Sequence, residues 1–287
     1  MPPDLTQREY ERTLIQHVVY MERIGNLAVK TIEGRMAAVT RAHLEECIIL
    51  DRSQMPLLSL TIRGLKRLSG GCRRKLAVTI DILFKMREAL DLNKWEDLNL
   101  WNATLTGFFF LLRSVEYLDV QTEANDKMRL RVAHFQLRAA GKDLDLAGGP
   151  SKGAPNPDEM LIILPYSKTD MEGQGRELNL FAEDDNELCV VTSMADAWRM
   201  NPKHFQRPEA PLFSNKEGRP VKKTDLQEAL RKASAELGYN PEDYSSHSLR
   251  SGGATAMYEA DIPVEDIQRR GRWKSSCWRI HIFGDRK

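Results

Sequence analysis

Four separated pieces of this chain carry side chains suited to holding an anion and moving a proton: Arg113 in RSVE, Lys168 in YSKTD, His247 and Arg250 in HSLR, and Trp273 in GRW. A guanidinium keeps its charge at any working pH and presents a planar fork of donors, so two arginines clamp a phosphate better than two lysines do. His247 titrates near neutrality, which suits it to proton transfer, and the indole N–H of Trp273 can only donate. Taken singly, each piece has a plainer reading. Arg113 and Glu116 have the spacing of a helical ion pair, Lys168 sits in what reads as a hairpin turn where lysines are usually solvated, and HxxR at a helix start arises by chance.

The elements that must position these residues can be read from periodicity. Residues 1 to about 70 set Leu14, Val18, Met21 and then Ile32, Met36, Val39 at three- and four-residue steps, which predicts a small all-helical domain. After Ile62, RGLKRLSGGCRRKLAV gathers Arg63, Lys66, Arg67, Arg73, Arg74 and Lys75 around Gly70 and Gly71. It reads as a basic interdomain linker, either solvated or set against a phosphate backbone. A helix is predicted over about 79–90, and LNLWNATLTGFFFLLRSVEYLDV has the length and apolar density of a buried helix with Arg113 and Glu116 near its end. LRVAHFQLRA, MLIILPYSKTD and RELNLFA have the texture of short strands, and Gly/Pro-rich segments separate them, which predicts a small antiparallel sheet. Helices return at VVTSMADAWRM and over 223–237, 248–260 and 264–270. The fold class is therefore mainly α with a small antiparallel β-sheet, in two domains, 1–70 and 71–287.

Composition narrows the partners without naming them. Of 287 residues, 41% are hydrophobic and 29% charged, which is ordinary for a globular chain with more than one core. The sequence has no long apolar run and no basic-then-apolar leader, so it is read as intracellular, with no membrane partner. Cys47, Cys72, Cys189 and Cys277 lie far apart and have no histidine at zinc-ligand spacing, so reduced thiols and no metal are expected. A net charge of +1 is too small to announce a nucleic-acid partner.

The order of the pieces is more specific than any one of them: an arginine on a helix, a hairpin lysine, a helix-start His-x-x-Arg, and an aromatic 26 residues after that histidine. HSLRSGGATAMYEADIPVEDIQRRGRW resembles the tyrosine recombinase family of phage integrases, Cre and the Xer proteins, and in texture the recombinases of DIRS and Crypton mobile elements. The resemblance covers about residues 75 to 283 and implies a helical core-binding domain followed by a DNA breaking-rejoining catalytic domain. It implies double-stranded DNA as partner, a homo-oligomer assembled on that DNA, no cofactor, and a location with DNA, nuclear in a eukaryotic host. It assigns Arg113 and Arg250 to the oxygens of a pentacoordinate phosphorane and Lys168 to protonation of the departing 5′ oxygen. His247 assists proton transfer, Trp273 packs the site and donates its N–H, and Glu116 orients Arg113 or His247.

One expected residue is missing. Counted from Trp273, the place of the attacking tyrosine falls on Ile282, flanked by His281 and Phe283, and none of the seven tyrosines lies beyond Tyr258. Isoleucine and phenylalanine cannot bond phosphorus, and His281 is expected in a surface or packing role. The family's final helix is expected to be cut short at Lys287. Three explanations stand at this point: a decayed mobile-element copy, a recombinase converted to DNA binding, or a site completed by another protomer. A non-catalytic DNA-binding protein is the alternative function, and a helical protein-interaction module with accidental motifs is a third.

Overall fold

The computed structural model describes residues 6–70, 74–119, 126–151, 153–165, 175–184 and 186–283. The chain forms two compact units, Met1–Arg74 and Lys75–Lys287. Lys168, expected as the hairpin lysine of the site, and Arg73, expected in the basic linker, lie outside the described residues.

The first unit is three helices, α1 (Gln7–Arg23), α2 (Val29–Glu45) and α3 (Pro56–Leu68). Thr6 and Glu9 close a reciprocal capping box at the start of α1. One face of α1 buries Tyr10, Leu14, Val18 and Met21 against Ile32 and Met36 of α2 and Leu58 of α3. Helix α3 has no side-chain cap of its own, and the buried Glu11 of α1 supplies one by accepting the Leu58 N–H at 3.0 Å.

The predicted basic linker divides differently. Arg63, Lys66 and Arg67 belong to α3, which runs on to Leu68 because Ile62 and Leu65 still face the core. Lys66 pairs with Glu33 at 2.7 Å, and in the second unit Lys75 donates to the carbonyl of Glu242.

The second unit is built around α5 (Trp95–Phe109), in which every residue from Trp101 to Phe108 is buried. Helices α4 (Ile80–Glu88), α6 (Val190–Met200), α7 (Pro202–Phe205), α8 (Lys223–Glu236), α9 (Ser246–Glu259) and α10 (Val264–Gly271) also belong to this unit, with α6 and α9 packed on α5. Strands β1 (Phe135–Ala139), β2 (Lys142–Asp143), β3 (Glu159–Leu164) and β4 (Arg176–Phe181) form one antiparallel sheet in the order β2-β1-β3-β4, with Phe135 opposite Ile162 and Ile162 opposite Leu178. The chain is thus mainly helical with a small antiparallel sheet, as its periodicity indicated.

The local departures have physical reasons. Strand β1 starts later than its apolar texture suggested, because His134 accepts the Arg131 N–H at 3.1 Å and holds Val132–His134 in a 3-10 turn. Ala140 and Gly141 both take positive φ, which makes the two-residue hairpin that adds β2. No helix among the described residues is long and apolar enough to cross a membrane.

Candidate functional site

Two helix ends and one helix start meet in the second unit. Helix α5 stops at Phe109, so Arg113 and Glu116 do not ride on it as expected. Leu111 adopts φ 51°, and the Leu112 N–H reaches back to the Gly107 carbonyl at 3.1 Å while the Leu111 N–H reaches that of Phe108. This is a Schellman stop, and it turns the chain into an extended Arg113 and a 3-10 turn over Ser114–Glu116. Helix α10 ends in the same way, with Arg272 at φ 58° and the Trp273 N–H bonded to the Gln268 carbonyl at 3.1 Å. Both stops use a side-chain-bearing residue where glycine is cheaper, at roughly 1–2 kcal/mol each.

Helix α9 begins two residues earlier than its apolar pattern suggested, at Ser246, where the Ser248 hydroxyl accepts the Ser245 N–H at 3.0 Å. His247 therefore lies in the first turn, with Arg250 one turn on. Gly252 and Gly253 let this helix approach α5 closely: a Cβ on Gly252 would lie 2.2 Å from the Val78 carbonyl oxygen, and one on Gly253 2.1 Å from that of Phe108. That approach brings the guanidinium of Arg250 to both Schellman ends, where it donates to the carbonyls of Leu111 and Gly271. A cation bridging two helix C-termini satisfies carbonyls that have no partner within their own helices. Arg250 is 1% exposed and stacks on Trp273, its central carbon 4.6 Å from the ring centroid.

A single carboxylate ties the arginines together. Glu116 is fully buried and accepts the Arg113 N–H at 2.7 Å, Arg113 Nη1 at 3.0 Å and Arg272 Nη2 at 2.7 Å. Its partners are thus Arg113 and Arg272, rather than His247. Arg272 was missed in the sequence although it stands in the GRW triplet, because nothing there signals that its backbone turns left-handed and carries the side chain inward. Burial, then the charges of Arg272 and Arg113, press the proton affinity of Arg250 below that of an ordinary guanidinium, with Glu116 opposing. A guanidinium does not give up its proton in a protein, so the same forces act instead as affinity for an anion.

Desolvation, followed by the charges of Arg250, Lys223 and Arg113, holds His247 below its usual pKa, so it is neutral near pH 7. Its ring lies 5.1 Å from that of His281, and the His281 ring lies 4.9 Å from Trp273, tilted by 32°. Counting from Trp273 pointed at Ile282, but the six-residue 3-10 helix Ser276–His281 shifts the phase and turns His281 toward the site. His281 is buried rather than at the surface, and its Nδ1 is 3.1 Å from the hydroxyl of Ser251. Ile282 packs on the cluster of Leu111, Ala254, Ile267 and Trp273, and Phe283 is partly exposed. The site therefore gathers Arg113, Glu116, His247, Arg250, Arg272, Trp273 and His281.

Residues 187–277 match the model of the phage integrase family, a segment that contains His247, Arg250, Arg272 and Trp273. No protein of curated function matches the sequence. Among solved structures, the pre-cleavage complex of XerH site-specific recombinase with its difH substrate is similar at 14% identity and a TM-score of 0.53, over 94% of this chain and 66% of that one. Its post-cleavage complex on palindromic difH gives 14% and 0.48 over 75% of this chain, which spans 51% of that chain's length. A lambda integrase dimer on a COC′ core site gives 13% and 0.47 over 98% of this chain and 73% of that one. The pre-cleavage XerH likeness shows a common fold.

Proposed function

We propose that this chain, whose residues 187–277 match the phage integrase family, is a tyrosine recombinase-type protein that binds duplex DNA through a phosphate site from which the tyrosine nucleophile has been lost. The observation that carries this reading is the convergence of Arg113, Arg250 and His247 around a site whose remaining corner, against Trp273, is filled by His281.

Arg113, with 22% of its side chain exposed, and Arg250 bind the non-bridging oxygens of one DNA phosphate. Neutral His247 accepts or relays a proton, Lys168 is the general acid, and Trp273 holds Arg250 in place. Residues 1–70 act as the core-binding domain and 71–287 as the catalytic-type domain. The exposed Arg63, Lys66, Arg67, Arg74 and Lys75, with Arg73, contact the DNA backbone, and copies of the chain assemble on DNA. With imidazole in place of a phenol, no phosphotyrosine forms. DNA binding without strand exchange is further supported by the Ser251 hydroxyl on Nδ1 of His281 and by the packing of that ring.

The test is duplex binding by fluorescence anisotropy across a salt series. The wild-type chain is expected to lose affinity linearly on a log–log plot, and Arg113→Ala to bind about tenfold or more weakly with a slope shallower by about 1. Absence of duplex binding at low salt, or binding indifferent to salt, would overturn the proposal.

A further inference from the structure

Three guanidinium groups, those of Arg113, Arg250 and Arg272, gather at this site, and among the described residues Glu116 is the carboxylate that pairs with two of them, Arg113 and Arg272. Of the three, Arg272 is the one with buried donors left without a hydrogen-bond partner among the described residues. Its side chain is 4% exposed; Nη2 is bonded to Glu116 at 2.7 Å and lies 3.4 Å from the Leu111 carbonyl, whereas Nε and Nη1 have no hydrogen-bond partner among the described residues. Burial lowers its proton affinity first, Glu116 opposes this, and the charges of Arg113 and Arg176 add to the lowering. Buried donors without partners are costly, and here they occur on a residue whose own backbone is in a conformation that glycine adopts more cheaply. Packing alone does not call for a guanidinium at such a position. An oxyanion with several acceptor oxygens would satisfy the unmet donors and offset the excess charge together.

We propose that Arg272 is a third phosphate-contacting guanidinium of this site, positioned by Glu116 and reserved for an oxygen of the same backbone phosphodiester that Arg113 and Arg250 bind. The proposal rests on the duplex-DNA reading above for the identity of the anion. Glu116 then has two functions: it holds Arg113 and Arg272 at a fixed separation, and it leaves the cluster with surplus positive charge for the ligand.

The test combines duplex binding across a salt series with a direct reading of the side chain. Arg272→Gln is expected to weaken duplex binding about tenfold or more and to lower the salt slope by about 1, while Arg272→Lys keeps the slope and Arg269→Gln, an exposed control on the same helix, leaves both unchanged. A merely structural role would lower the urea midpoint without changing the slope, so an unchanged slope in folded Arg272→Gln overturns the proposal. Should that variant not fold, the wild-type chain decides by NMR: addition of inorganic phosphate is expected to shift the Nε–H resonance that is absent from Arg272→Lys, and no movement of that resonance overturns the proposal. A phosphate-induced shift in a chain that binds no duplex would uphold the oxyanion site while refuting the DNA reading.

Discussion

Replacing Glu116 by glutamine removes the only carboxylate that the described ion pairs give to Arg113 and Arg272, with almost no change in volume. The carboxylate accepts three hydrogen bonds, at 2.7, 3.0 and 2.7 Å. The single amide oxygen of glutamine can retain those now made to Oε2, but its NH2 group then faces Arg113 Nη1, donor against donor. Two guanidiniums are left uncompensated. Arg272, at 4% side-chain exposure, bears nearly the full cost, whereas Arg113, at 22%, is partly relieved by water. Removing one partner of a buried ion pair typically costs about 3–5 kcal/mol. At about 2–4 °C per kcal/mol for a unit of this size, the melting temperature should fall by roughly 10 °C. All five tryptophans, Trp95, Trp101, Trp198, Trp273 and Trp278, lie in the second unit, so tryptophan fluorescence in urea reports on that unit alone. Inorganic phosphate should recover more stability in Glu116→Gln than in the wild-type chain, because the site has lost its internal anion. A loss below about 1 kcal/mol would refute the view that Glu116 is the keystone of an arginine cluster.

Glycine positions give a contrasting pair of outcomes. Gly253→Ala sets a methyl group against the Phe108 carbonyl and should cost about 1–3 kcal/mol or more while weakening duplex binding through displaced Arg250, as read by urea unfolding and anisotropy. Gly34→Ala, mid-helix in α2 with nothing within 4 Å, should stabilise the first unit by about 0.5–1 kcal/mol in circular-dichroism melts. The pH response follows from His134, His204 and His247, which desolvation holds below the ordinary histidine pKa of 6.5. The unfolded chain binds more protons just below that value, so stability is complete above it and falls as the pH drops through the window beneath it. The urea midpoint should be lower at pH 5 than at pH 7.5, His204→Gln should shrink the difference, and equal midpoints would contradict the assignment.

Much of this arrangement was legible because its signals are local. The helices from Val190 onward follow apolar spacing, apart from the short α7 and the first two residues of α9, and the order of Arg113, His247, Arg250 and Trp273 carried the family pattern without any geometry. Features that depend on left-handed residues were not legible. Leu111 and Arg272 are poor sequence signals for a Schellman stop, yet their positive φ angles end α5 before Arg113 and turn the Arg272 side chain inward. Similarly, the Ala140-Gly141 hairpin lacks the Asn-Gly signature that would have predicted β2. The position of His281 depended on the phase of a 3-10 helix, and a difference of one residue separates Ile282 in the apolar cluster from a histidine against Trp273. The glycines of SGGA read as ordinary small residues until the carbonyls of Val78 and Phe108 appear beside them.

The most direct measurement of the central claim is covalent capture on a nicked suicide duplex, selected by the protein from a random pool, with the wild-type chain, His281→Tyr and Ile282→Tyr compared side by side on denaturing gels. The account predicts no adduct from the wild-type chain or Ile282→Tyr and a phenol-linked adduct from His281→Tyr, because residue 281 is the one set against Trp273 and His247. A covalent protein–DNA adduct from the wild-type chain would contradict it.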